Sequence, residues 1–228
     1  MKAGGVRRSG RLSGLLALCI GAWGISLHAQ PGLRMEARLA YAEPTGAGHR
    51  PPRLELKAGS RLWLEGTSTL HPYSADATRL LLEGTVEPAE SPLGWRIVSL
   101  RVVVPVQGLK SSIEALNRNM YRDLKADQHP EIVFTLRDYA PAGPAPSGGG
   151  YWVKARGRLM VAGVERDIEL EALLRISGEQ IQIQGAKELF MTHFGITPRR
   201  FLGVMRVDDK ITVRYDLTLL VRTDRGSP

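Results

Sequence analysis

Cysteine, aromatic residues and long apolar runs are all scarce in this chain of 228 residues. Its single cysteine, Cys19, has no partner for a disulfide and lies in an N-terminal stretch that we expect to be removed. The remaining protein then has neither a thiolate metal site nor a cysteine nucleophile. Aromatic residues make up only 6% of the chain, too few for the two aromatic girdles of an outer-membrane β-barrel. Beyond the N-terminus, no segment is long and apolar enough to span a bilayer as a helix.

The N-terminus has the layout of a secretory signal peptide. Four basic residues between Lys2 and Arg11 precede an apolar stretch from Leu12 to Leu27. Glycines and serines interrupt this stretch, which is shorter than the roughly 20 residues of a spanning helix. We therefore predict a signal peptide over 1–29, an extension or linker over 30–52, and a periplasmic or secreted protein. A membrane anchor, or a lipoprotein acylated at Cys19, is the alternative.

The charge of the chain argues against a nucleic-acid partner. The formal net charge is +8, and the first 29 residues hold four basic side chains and no acidic one. The remainder is therefore only mildly basic, and its basic residues form no run longer than two. Nucleic-acid binding proteins concentrate such charge in a patch or stripe. The remaining length fits one domain, which we place at 53–223.

Alternation of apolar and polar residues dominates this domain and predicts strands with one dry face. It is clearest in 96–107, where Val98 shares a parity with Leu100, and in 167–176 and 211–222. Weaker alternation covers 54–57, 78–87, 131–139, 151–161 and 181–187. We expect eight or nine antiparallel strands. The segment 140–150 is rich in proline, glycine and serine, and predicts a flexible loop inside one hairpin.

One segment, 111–125, has helical periodicity instead. Its apolar residues recur at three- and four-residue spacing, which predicts a short amphipathic helix; they are Ile113, Leu116, Met120 and Leu124. Ser111 and Glu114 have the spacing of a capping box at its start. Antiparallel strands with one dry face close into a barrel or form a two-sheet sandwich, and the pattern alone leaves both open.

Several ordered motifs resemble the YceI-like family of exported lipid- and polyisoprenoid-binding proteins. The most specific are LKADQHPEIVF at 124–134, GRLMVAGV at 157–164 and MTHFGI at 191–196, and EGTSTLH at 65–71 precedes them. The similarity runs in order from about Arg53 to Val221. One departure is Arg199, which stands where relatives with the GTSTLH motif have a second proline.

The resemblance implies an all-β fold, an antiparallel lipocalin-like β-barrel of about eight strands with one short amphipathic helix. It implies an apolar interior that holds an isoprenoid or fatty-chain lipid, with no catalytic residue and no cofactor. The inward-facing residues, which would contact the lipid, are Leu62, Leu64, Leu100, Val102, Val104, Phe134, Leu136, Ile168, Leu170, Leu174, Val213, Tyr215 and Leu217. Parity alone allows a second interpretation, in which these side chains fill the core and the barrel is an interaction module of the cell envelope.

The stretch EGTSTLH also invites a catalytic interpretation, with Ser68 as nucleophile, His71 as base and Asp76 as third member. Ser68 and His71 have opposite parity in a strand and lie about 10 Å apart along it. A serine nucleophile needs its base within hydrogen-bond reach, so we expect no catalytic site here. The histidines of the domain are widely spread, so we also predict no metal.

Four residues are candidates for the mouth of the barrel: His71, Met120, Arg199 and Arg200. A bend at Pro72 would place His71 there. Arginine forks suit phosphate or carboxylate oxygens, so the two arginines would contact an anionic headgroup or a membrane surface. The alternative is a solvated basic turn.

Overall fold

The computed structural model describes residues 51–90, 94–146, 149–201 and 205–223. The predicted signal peptide and residues 30–50 of the predicted extension lie outside these ranges. Twelve strands and one α-helix are described. They are β1 (Arg53–Leu56), β2 (Arg61–Ser68), β3 (Tyr73–Ala77), β4 (Leu81–Pro88), β5 (Trp95–Pro105), β6 (Leu109–Lys110), α1 (Glu114–Asp123), β7 (Glu131–Pro144), β8 (Tyr151–Val161), β9 (Val164–Ser177), β10 (Gln180–Phe190), β11 (Arg200–Phe201) and β12 (Met205–Arg222). Short 3₁₀ turns cover Val106–Gly108 and Met191–Phe194.

Eight of these strands form a closed antiparallel barrel. The hydrogen-bonded order is β1-β4-β5-β7-β8-β9-β10-β12, and β12 pairs with β1 to close the ring. Closure leaves no free sheet edge along this path, which is how a single sheet can enclose an apolar interior. The predicted all-β, eight-stranded barrel is confirmed, and the sandwich alternative is wrong.

The long strand β12 has two partners along one of its edges. Its last residues pair with β1, as in Val221 opposite Leu54. Its earlier residues pair with β2, as in Val213 opposite Leu64. Beyond β2 the sheet continues through β3 to β6, so this short branch extends the wall at the end of the barrel where β12 begins.

Two buried clusters divide the interior. At the end where β12 finishes, buried side chains from seven barrel strands meet in a packed cluster, which we call the closed-end core. It includes Leu54, Val86, Ile97, Leu174, Ile181, Leu219 and Val221. The second cluster lies towards α1 and contains Val106, Leu109, Leu124, Phe194 and Ile196. The helix therefore packs on apolar residues with its stripe, as its periodicity predicted.

Two strand predictions are wrong in detail. The segment 140–150 is not all loop, because β7 continues to Pro144 and pairs with β8 up to Tyr151; the hairpin itself is confirmed. Val98 does not share the inward face of β5, since it is 53% exposed while Ile97 is buried. A shift in register between Thr85 and Val86 of β4, opposite this point, reverses the parity of β5 locally.

The predicted capping box is also wrong. The helix begins at Glu114, its N-cap is Ile113, and no side chain caps it. Ser111 Oγ instead accepts the Ile113 amide at 3.3 Å. Asn117, which is 3% exposed, holds the segment before the helix: its Oδ1 accepts the Ser111 amide at 2.7 Å and its Nδ2 donates to the Ser111 carbonyl at 3.1 Å.

The α-helix is too short to cross a bilayer. Over the residues that the structure describes, no helix has the length and apolar character of a membrane span.

Candidate functional site

The barrel is hollow between the closed-end core and the helix. A cavity of about 560 Å³ occupies this space, and its walls are almost entirely apolar. Six barrel strands supply lining residues, namely β5, β7, β8, β9, β10 and β12. Strands β2, β3 and β6 of the branch add others, and α1 and the segment 194–199 line the cavity at the other end. The interior is therefore packed with side chains at one end, and the rest of it has room for a ligand.

Eleven of the thirteen predicted interior residues line this cavity. They are Leu62, Leu64, Leu100, Val102, Val104, Phe134, Ile168, Leu170, Val213, Tyr215 and Leu217. The other two, Leu136 and Leu174, also face inward, but they lie deeper along the barrel axis. Both pack in or against the closed-end core and do not line the cavity. Parity identified their face correctly, but it has no information on depth along the barrel.

Strand β12 shows this change of environment along one face. Val213, Tyr215 and Leu217 line the cavity. Leu219 and Val221, next on the same face, are fully buried in the closed-end core. The lining part of this strand extends from Val207 to Leu217, roughly 30 Å at the usual rise per residue. The cavity is therefore suited to a long, narrow occupant.

Three glycines keep the cavity open by making room for aromatic rings. Each glycine occupies an inward-facing position, and an aromatic side chain from a neighbouring strand lies over it. A Cβ on the glycine would lie 2.3–2.5 Å from that side chain in the pairs Gly66–Tyr73, Gly157–Phe134 and Gly185–Tyr215. The rings therefore lie along the wall, in space that a side chain would otherwise occupy, and project less into the cavity.

Tyr215 shows the arrangement most fully. Its ring crosses Gly185 of β10, and its hydroxyl donates to the Glu171 carbonyl of β9 at 2.9 Å. Burial, with a smaller contribution from the Glu171 carboxylate, raises the pKa of Tyr215 to about 12. Burial likewise raises the pKa of Tyr73, helped by Asp208. Both tyrosines therefore remain neutral at physiological pH.

The mouth of the cavity is covered in part by α1. The apolar stripe of the helix, including Met120, lines the cavity. Arg199 also lines it, and its guanidinium forms a two-pronged ion pair with the Asp123 carboxylate at the end of α1, with Nε donating to Oδ2 at 2.5 Å. The fork of Arg199 is thus already engaged with the protein and ties the helix to the segment before β11.

Of the other mouth candidates, His71 lines the cavity and Arg200 does not. Arg200 is exposed in β11, opposite Arg206 of β12. Ser68 also lines the cavity, so the expectation that Ser68 and His71 lie on opposite faces is wrong: the chain turns directly after β2. In this turn the Ser68 hydroxyl donates to the His71 carbonyl at 2.9 Å and accepts the His71 amide at 3.3 Å. The Ser68 hydroxyl is therefore hydrogen-bonded to the backbone of His71 and not to its imidazole.

Lys187 is a lining residue that the sequence analysis missed. It lies in β10 on the same face as Ile181, Ile183 and Leu189, and Ile183 and Leu189 also line the cavity. The alternation in 181–187 could have identified Lys187 as inward-facing. A residue two positions before Leu189 and four after Ile183 lies on the same face of the strand as both of them.

The described residues offer no metal site. No group of three or more His, Cys, Asp or Glu side chains among them is arranged to hold an ion.

A family model for the YceI-like domain matches residues 72–219. The chain belongs to the YceI-like family. The solved structure of BcnA from Burkholderia cenocepacia is similar, with a TM-score of 0.59 and 15% identity over 72% of this chain and 99% of that one. No curated protein matches the chain.

A second structure is that of a polyisoprenoid-binding domain from Saccharophagus degradans, implicated in plant cell wall breakdown. It has a TM-score of 0.53 and 15% identity, over 76% of this chain and 99% of that domain. At this level of identity, both similarities show the shared YceI-like fold.

The motifs that identify the YceI-like domain have structural roles. The hairpin turn of GRLMVAGV has positive φ at Ala162 (50°) and Gly163 (82°), as a two-residue type I′ turn requires. A Cβ on Gly163 would lie 2.4 Å from the His129 imidazole, so the histidine of LKADQHPEIVF packs directly on this turn. In MTHFGI, Gly195 (φ 68°) ends the 3₁₀ turn and allows Phe194 and Ile196 to be buried.

Proposed function

We propose that this protein binds a single isoprenoid or fatty chain non-covalently and carries or sequesters it, without catalysing a reaction. The observation that carries the proposal is the apolar cavity of about 560 Å³ inside the barrel. The name of the polyisoprenoid-binding relative adds support. Burial of the chain supplies the binding free energy, at about 0.8 kcal/mol per CH₂.

The size of the cavity limits the chain. A water molecule occupies about 30 Å³ of liquid, and a methylene group is of similar size, so the cavity has room for roughly 19 such groups. The closed-end core stops the chain from passing through the barrel. The proposed ligand therefore has a chain of about 15–20 carbons inside, and a longer chain protrudes from the mouth.

The rim of the mouth is proposed to touch a membrane when the ligand is exchanged. Ile113 and Phe190 line the cavity yet are 45% and 41% exposed. Leu70 is exposed in the turn between Ser68 and His71. Arg200 and Arg206 stand opposite each other nearby in the β11–β12 pair, and neither has an ion-pair partner among the described residues. Exposed apolar and basic side chains together suit an anionic lipid surface.

The proposal also places the protein outside the cytoplasm. Its support is the pattern of residues 1–29, in which a basic stretch precedes a short apolar one.

A chain-length series tests the binding proposal. Straight-chain alcohols of 8 to 28 carbons would compete against a fluorescent fatty-chain probe. The affinity should rise with each added CH₂ and level off near 20 carbons, because further carbons remain outside. Leu170→Trp, which fills part of the cavity, should shift the plateau to shorter chains, while Val98→Trp on the outer face should not. Failure of both the fatty-chain probe and every alcohol to bind would refute the carrier function and favour the interaction module.

A further inference from the structure

Lys187 is a basic residue on the inner wall of an apolar cavity. Its register partner in β12 is Val213, which pairs in turn with Leu64 of β2. Both of these neighbours line the cavity with apolar side chains. The next residue along, Glu188, does not line the cavity and forms an ion pair with Lys210 at 2.8 Å. Lys187 and Glu188 therefore occupy opposite faces of β10, and Glu188 does not neutralise Lys187.

The cavity contains no carboxylate that is free to pair with this lysine. Asp123 is the acidic residue among the lining side chains, and Arg199 already holds both of its oxygens. Lys187 has no ion pair or hydrogen bond with any residue that the structure describes. Apart from the Asp123–Arg199 pair, Lys187 is the charged side chain among the lining residues, and His71 lies at the mouth.

An apolar chain that enters the cavity displaces water from around the lysine. A desolvated ammonium group without a counter-charge is strongly unfavourable. A ligand with a neutral head leaves the ammonium in that state, or forces the side chain to extend towards the mouth to stay hydrated. A ligand with a carboxylate or phosphate head supplies the missing counter-charge and forms a charge-assisted hydrogen bond.

We propose that Lys187 binds the anionic head of the ligand, a carboxylate or a phosphate, while the chain extends from it towards the closed-end core. This inference rests on the proposed function and specifies its ligand class. Lys187 is three residues from Phe190 at the end of β10, about 10 Å along the strand. The head is therefore held inside the mouth, and the chain lies against Val213 and Leu217.

Matched pairs of ligands test the proposal and separate the two head chemistries. One pair is hexadecanoate and hexadecanol, and the other is geranylgeranyl monophosphate and geranylgeraniol, each in competition with the same fluorescent probe at pH 7.5. The protein should bind at least one anion about tenfold to a hundredfold more tightly than its alcohol, the range for a hydrogen bond to a charged group. The pair with the larger ratio identifies the head.

Variants of the lysine connect the preference to this side chain. Lys187→Met should abolish the preference for the anion by weakening anion binding, and alcohols should bind as tightly as before or more tightly, because no ammonium then loses water. Lys187→Arg should retain the preference. Lys210→Met, on the outer face of β12, is the matched control and should behave as the unaltered protein. Equal binding of anion and alcohol, or a preference that survives in Lys187→Met, would overturn the assignment. Binding of none of the four ligands would instead refute the proposed function itself.

Discussion

A leucine-to-alanine substitution should destabilise the protein much more in the closed-end core than in the wall of the cavity. Leu219 is 0% exposed in the closed-end core, whereas Leu170 lines the cavity and is only partly buried. Leu219→Ala leaves a new void in a packed region and should lower the free energy of unfolding by about 3–4 kcal/mol. Leu170→Ala enlarges a space that already exists, so only part of the transfer term is lost, about 1 kcal/mol.

Urea unfolding followed by circular dichroism measures both values. The larger effect corresponds to a fall in Tm of roughly 10 °C for a domain of this size. Val98→Ala, on the exposed face of β5, is the control and should change stability by less than about 0.5 kcal/mol. Equal losses of 3–4 kcal/mol for both leucines would refute the reasoning, because they would mean that the barrel is filled along its whole length.

Four further predictions follow from the site. Gly185→Ala should destabilise the protein by about 1–3 kcal/mol in urea unfolding, because its Cβ would lie 2.4 Å from the Tyr215 hydroxyl. Stability should fall as the pH rises from about 10, the unfolded pKa of tyrosine, to about 12, that of folded Tyr215, and Tyr215→Phe should reduce this loss. Asp123→Asn removes the charge that Arg199 binds, so amide exchange in 114–123 should be faster than in the unaltered protein. Arg200→Ala with Arg206→Ala should reduce sedimentation with phosphatidylglycerol vesicles severalfold and leave phosphatidylcholine unaffected; equal sedimentation with both would contradict contact through charge.

The strands and their inward-facing residues could be predicted because alternation is a local property, whereas the choice of a barrel over a sandwich came from the resemblance to the YceI-like family. Each strand of the barrel records in its own sequence which side faces the interior, as Val213, Tyr215 and Leu217 do in β12. Where the strand pairing is irregular, parity no longer predicts which side of the sheet a residue faces. Val98 is the example, because the shift in register that turns it outward is not encoded in its apolar character.

The cavity could not be predicted from the same pattern, because the residues of a filled barrel and of an open barrel alternate in the same way. It depends on pairs that are distant in sequence, such as Gly185 with Tyr215, whose alignment is known only once the strand register is known. The ion pair between Asp123 and Arg199 likewise joins residues 76 positions apart. Lys187 is different: its position was available from parity, but a lysine does not match the apolar pattern that defines a dry face.

Native mass spectrometry of the full chain, purified from its own host and sprayed from a volatile buffer, tests the central claim most directly. The account predicts a complex of one protein with one small amphiphile, released on activation as an anion with a chain of about 15–20 carbons or as a longer chain of the same class. A protein that carries no added mass, and that takes up neither hexadecanoate nor geranylgeranyl monophosphate when these are supplied, would contradict it.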